Sequence, residues 1–189
     1  MADDLVLDSL QRRMHALHSL YYDAVATMDL DQVNHFEREG VVPIAFSLFH
    51  IVNMMDGSFM LMIGTPPIWD DGWQGRVQPA IPDHGKHRTV SEMVHQRIGD
   101  YAAFQEYMAA VFTRTEQWLE GLDPAEFSRV VVGRPFPELV ANTYSARVAG
   151  PGGITLLDAA ECWIYQHGLR HMGEIELARG LVGLGGMTS

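Results

Sequence analysis

YQHGLRHMGEI, Tyr165 to Ile175, is the stretch on which the fold turns. Two histidines, His167 and His171, stand four residues apart in it. A helix advances about 100° per residue, so it carries such a pair on one face, about 6 Å apart along its axis. Ala160, Ile164, Ile175 and Ala178 fall on the same arc. Both imidazoles therefore share the apolar stripe that a helix turns toward its neighbours. One core histidine is readily satisfied by a hydrogen bond. Two in register among Ile and Ala are harder to satisfy, and a divalent cation answers the need by bonding the ring nitrogens directly.

A helical pair supplies two ligands, and a useful site needs a third. His50 lies in SLFHIVN, flanked by Phe46, Phe49, Ile51 and Met54, so it cannot easily avoid the core. If its helix packs on the C-terminal one, His50 stands opposite His167 and His171. Three neutral imidazoles leave the ion its full charge and an open position. Such a site lowers the pKa of bound water toward about 7 or holds a thiol as thiolate. Glu174, seven beyond His167, also faces inward by its phase. It suits a hydrogen bond from a ligand's second nitrogen or the role of base on bound water; the plainer alternative is an ion pair with Arg170 or Arg13.

The remaining histidines read differently. His84 and His87 lie in a Pro/Gly-rich stretch and are expected in solvent. His35 sits beside Glu37 and Glu39 on a polar approach. His15 and His18 flank an apolar stripe and are expected at its boundary. Glu92 to His95 gives an E-x-x-H spacing, but a di-iron bundle needs two such motifs and two further glutamates, and the chain offers one.

The rest of the sequence supplies the partners. From about Leu5 to Met28, Val6, Leu10, Met14, Leu17, Tyr21 and Ala24 recur at helical spacing. A second helix begins near Pro43, where a first turn tolerates proline, and continues as IAFSLFHIVNMMDGSFMLMIG. It is apolar nearly all round and is expected to be the most buried. TVSEMVHQ opens a third, with Thr89 or Ser91 as cap and Glu92 in the first turn, running to about Leu122. The last starts near Thr155 with Asp158 as an acidic capping-box partner and runs to about Leu181. Between residues 68 and 88 Gly, Pro and Asp recur without period, so a long loop is expected, its two tryptophans covering a pocket mouth or anchoring the loop. Residues 123–153 read as irregular, with a short strand at FSRVVVG. Four main helices with two long connections make an all-α four-helix bundle. No repeat or linker divides residues 1–189, so a single domain is expected.

Composition narrows the partners. The formal net charge is -11, with 13 Lys+Arg against 24 Asp+Glu, which supplies no footprint for a phosphate backbone or an anionic membrane surface. No nucleic acid and no membrane partner are expected. One cysteine, Cys162, excludes an internal disulfide and is compatible with a reducing compartment. The N-terminus is acidic before it is basic, the reverse of a signal peptide, and no stretch reads as long enough to span a bilayer. A cytoplasmic protein is the expectation.

At these residues the chain resembles the DinB/YfiT-like family of metal-binding four-helix bundles. His50 in SLFHIVNMMDG matches the histidine that family carries in its second helix. HGLRHMGEI places His167, His171 and Gly173 where the family has H-x-x-x-H-x-G-Q. Gly173 fits by letting a neighbouring helix come close. Glu174 stands where glutamine is usual and Met172 where arginine is common, which adds negative charge near the ion. The resemblance covers nearly the whole chain in order of elements. It implies an up-up-down-down bundle holding a divalent ion, most often nickel or zinc, on His50, His167 and His171. It further implies an activity of the thiol-dependent S-transferase type on a small-molecule substrate, with a low-molecular-weight thiol as cosubstrate, and a homodimer. A metal-dependent hydrolase and a non-catalytic, stress-related metal-binding bundle are the alternatives.

Overall fold

The computed structural model describes residues 2–187. Four long helices dominate: α1 (Ala2–Ala26), α2 (Ile44–Ile63), α3 (Tyr101–Glu120) and α4 (Gln166–Leu181). The main contacts run α1 to α3, α3 to α2, α2 to α4 and α4 back to α1, closing a ring. Consecutive helices α1 and α2 thus lie across a diagonal, as do α3 and α4. Only long connections can join diagonal helices, which is the arrangement of bundles with two crossovers.

Sequence period explains each packing face. Leu10, Met14, Leu17, Tyr21 and Ala24 of α1 are buried at three- and four-residue intervals. α2 is buried on almost every side, and its polar residues Ser47, His50, Asn53 and Asp56 are buried with it. By length and composition α2 is apolar enough to cross a membrane, contrary to the expectation that no stretch is. Within the fold it is the centre of the bundle, and most of its apolar surface packs against the other helices.

The third helix begins later than its periodicity suggested. Thr89 and Glu92 do open a turn, Val90–Met93, with Thr89 N–H donating to Glu92 Oε2 at 2.8 Å. The chain then breaks, and α3 starts afresh at Tyr101 under a cap from Asp100, whose carboxylate accepts from Ala103 N–H at 2.9 Å. Gln96 pins the break: its amide donates to Ile81 O at 2.9 Å and accepts from Ile81 N–H at 2.8 Å. Ile98 keeps its place in the core although it is not helical.

The stretch between α2 and α3 is more ordered than a loop. Asp70 caps a two-turn helix, Asp71–Val77, accepting from Trp73 N–H at 2.8 Å. Asp56, fully buried on α2, accepts from the backbone N–H groups of Ile68 and Trp69 at 3.0 and 2.9 Å, and its carboxylate pairs with Arg114 of α3 at 2.9 Å. Trp69 meets Phe49 edge-on and, like Trp73, packs against Tyr107. The tryptophans anchor this segment to the bundle.

Residues 123–153 include the expected strand, β1 (Val130–Gly133), which pairs antiparallel with β2 (Gly153–Thr155). β2 was not expected. Gly153 sits at φ +134°, and a Cβ there would lie 2.2 Å from Val132 O, so no other residue fits. Thr155 then caps the C-terminal helical run, donating its N–H to Asp158 Oδ2 at 2.9 Å while its hydroxyl accepts from Asp158 N–H at 3.2 Å. That run is not uniform. It opens with Leu156–Ala159, widens into a π-helix at Ala160–Tyr165, and returns to α winding as α4.

Candidate metal centre

α2 and α4 pack side by side, and their facing polar residues meet in one place. His50 comes from the middle of α2, His167 from the first turn of α4 and His171 from the second. His50 and His171 are buried and His167 is half-buried. The His50 ring stacks on Phe46, one turn earlier, at 5.3 Å between centroids. Gly168, between the two α4 histidines, is where α1 comes close: a Cβ there would lie 2.5 Å from Leu17 Cδ2. Tyr21 of α1 also donates its hydroxyl to the Gly168 carbonyl at 2.8 Å. The close-approach glycine is therefore Gly168. Gly173, expected in that role, is exposed and has open space where a Cβ would stand.

Each histidine points one nitrogen outward to an acceptor. His50 Nδ1 donates to the His84 carbonyl. His171 Nδ1 lies 2.6 Å from Glu174 Oε2. His167 hydrogen-bonds to the backbone of Trp163, one turn before it. Carbonyls and carboxylates only accept, so these partners fix the proton on the outer nitrogens. The inner Nε2 atoms then face one another as lone pairs. His167 Nε2 lies 3.0 Å from His171 Nε2 and 3.4 Å from His50 Nε2. All three ligand atoms lie within 4.8 Å of one another. Three lone pairs converging without a proton repel, and a cation between them removes the repulsion. The donor set, three neutral imidazole Nε2 atoms with their second nitrogens engaged, fits a divalent ion with further positions open.

Electrostatics keep the rings in the ligating form. Burial, reinforced by the neighbouring imidazoles, lowers His167 to about 3. Burial lowers His50 to about 4, against the opposing hydrogen bond to His84. Both are neutral at pH 7. The hydrogen bond from His171 holds the Glu174 carboxyl below its ordinary value in spite of partial burial, and Ser47 of α2 adds to the effect by donating to Oε2 at 3.0 Å. Glu174 thus ties α4 to α2 through the carboxylate that orients His171. It pairs with neither Arg170 nor Arg13; Arg13 goes to Glu161 at 2.6 Å.

A cavity of ≈ 630 Å3 opens onto the trio. Phe46, Met54 and Leu61 of α2 form one wall, and Leu139, Val140 and Tyr144 form another. The irregular segment after β1 therefore has a place at the site. Trp163 stitches it there, its indole N–H donating to Ser145 Oγ at 2.9 Å. From the segment before α3, Lys86, Met93 and the His84 carbonyl reach the site, and its tryptophans do not line the cavity.

Sequence reasoning named His50, His167 and His171 as candidate ligands beside Glu174, and the fold brings all four together. It missed Ser47, the Trp163 backbone and His84, which is half-buried rather than solvated. His18 also departs from its expected boundary position. It is fully buried, stacks on Phe112 at 4.0 Å and bonds Glu116 at 2.6 Å through Nδ1, while Nε2 has no partner. His35 and His87 are exposed as expected, and His95 is exposed too.

Fold and site together define a four-helix bundle with a histidine triad between two of its helices, able to hold a metal ion. The chain belongs to the DinB superfamily, whose sequence profile matches residues 13–175. Among solved structures, that of a conserved protein from Enterococcus faecalis shares the fold, with a TM-score of 0.74 over 95% of this chain and 98% of that one at 15% identity. No curated protein matches the sequence.

Proposed function

We propose that the protein is a metal-dependent enzyme of the S-transferase type, acting on a small molecule with a low-molecular-weight thiol as cosubstrate. His50, His167 and His171 would hold a nickel or zinc ion. When bound, the ion lowers the pKa of a thiol or water at its open position and so presents a nucleophile at neutral pH. Glu174 orients His171 and, ionised at neutral pH, stands ready to take the proton which that ligand gives up. The apolar cavity walls hold the electrophile and exclude bulk water. A thiolate attacking carbon would displace a leaving group, which departs with the bonding electrons, and so give transfer; water adding to a carbonyl and expelling its alcohol or amine would give hydrolysis at the same site. The observation that carries this reading is the convergence of three Nε2 lone pairs on the floor of an open cavity. A non-catalytic bundle would have no use for that opening. A cytoplasmic location follows the same logic, since a thiol cosubstrate needs a reducing compartment.

Elemental analysis of the purified protein is the first test. About one nickel or zinc per chain is expected, with loss of most of it in His171→Ala and in His50→Ala. Equal metal content in wild type and both variants would refute the assignment. A screen of small thiols against carbon electrophiles and esters then separates transferase from hydrolase.

A further inference from the structure

Three side chains of the charged types line the cavity: Lys86, Arg170 and Glu174. The acid is already committed, since one carboxylate oxygen of Glu174 takes both His171 Nδ1 and Ser47 Oγ. Arg170 precedes Glu174 by four residues, a spacing at which such side chains pair on a helix. They do not pair here. Among the described residues, neither the Arg170 guanidinium nor the Lys86 ammonium has an anionic partner. Of the other arginines, Arg13 pairs with Glu161, Arg88 with Asp83 and Arg114 with Asp56, while Arg97, Arg134 and Arg179 turn to backbone carbonyls. In a chain with 24 acidic residues against 13 basic ones, two side-chain cations with neither kind of partner face one cavity. Arg170 stands next to His171 and one turn from His167, close enough for its charge to be felt at the His167 ring. Phe46, Met54, Leu61 and Leu139 give the cavity an apolar wall, with Ser58, Asn142 and Thr143 also on its lining.

We infer that the cavity takes a small amphipathic acid, a carboxylate on an apolar body, with the acid group on Arg170 and Lys86. A guanidinium meets a carboxylate through two parallel N–H donors, which fixes orientation as well as affinity. The apolar body lies along Phe46, Met54 and Leu61, and the remainder of the molecule faces the histidines. Only this last step, delivery to the reacting position, rests on the proposed metal chemistry; recognition of the acid does not. At ≈ 630 Å3 the cavity is in the ordinary size range for such a ligand, about 300–1,000 Å3.

Calorimetric titration with octanoate, octanol and octylamine tests this, on protein loaded with nickel and on protein stripped by chelator. Octanoate is expected to bind at least about tenfold more tightly than octanol in both forms, with octylamine weakest. Arg170→Gln should remove most of that preference and Lys86→Gln a smaller part, both leaving octanol binding unchanged. Arg170 is exposed and bonded to nothing, so its variant should fold, and its circular dichroism should match wild type. Equal binding of octanoate and octanol, or a preference that survives Arg170→Gln, would overturn the inference. Octanoate binding confined to the nickel form and indifferent to Arg170→Gln would make the acid a metal ligand, overturning the inference and leaving the metal reading intact. Arg170-dependent binding in a protein that takes up no nickel would do the reverse.

Discussion

At the scale of single residues, the site depends on where protons sit. Glu174→Gln keeps an oxygen that accepts from His171 but removes the charge that strengthens the bond. Loss of an outer partner of this kind typically costs about 10-fold or more in metal affinity. We expect a drop of that order in competition titrations against a chelator, with helix content unchanged; an unaltered affinity would show that Glu174 does not support His171. Gly168→Ala probes a different dependence. The added methyl would run into Leu17, which is itself buried, so overpacking should destabilise the fold by about 1–3 kcal/mol in urea unfolding. Gly173→Ala, with open space around it, should cost nothing by contact and gain a little helix propensity. The histidine cluster was legible in the sequence because polar residues at helical spacing inside apolar runs have few places to go. Ser47 was not, because a serine in such a run is ordinary and only the register of α2 against α4 brings it to Glu174.

At the scale of elements, the segment between α2 and α3 hangs on one carboxylate. Asp56 satisfies two backbone N–H groups, a tyrosine hydroxyl and Arg114. Asp56→Ala leaves all of these without their acceptor in or near the core, and we expect a loss of about 3 kcal/mol in denaturant unfolding. Fluorescence of Trp69 and Trp73 should shift under native conditions as their contacts with Phe49 and Tyr107 loosen. A native-like emission spectrum with unchanged stability would count against the anchor. The long amphipathic helices and their caps could be read from period and capping residues. The short elements could not: Asp71–Val77 has too few turns to show a period, and β2 is held by a ribbon partner twenty residues away in sequence. The break before α3 was hidden because Val94 and Ile98 keep the apolar spacing of a helix while occupying the core by another route.

For the whole molecule, the buried imidazoles couple folding to pH. In the metal-free protein, folded His50 and His167 hold protons more weakly than in the unfolded chain. The unfolded state therefore takes up protons first as pH falls below about 6.5. Stability is full above that point and declines on acidification toward the folded values of about 4 for His50 and about 3 for His167. Each ring contributes a slope of up to about 1.4 kcal/mol per pH unit. Urea midpoints measured with chelator from pH 7.5 to 5 should fall accordingly, and His167→Leu should flatten the curve. Bound metal should hold the midpoint up until protons displace it. A flat profile in stripped wild-type protein would contradict the burial of these rings. The π run at Ala160–Tyr165 has its own bearing on the molecule's history. It stores one residue more than α winding would place over the same length, about 100° of rotation. Dropping that residue would relax the bulge and leave the capped start and the ligand-bearing end each seated as before. Kin of this chain that lack it would align to it with a gap in the middle of a packed helix, a place where insertions and deletions are ordinarily lethal to a fold.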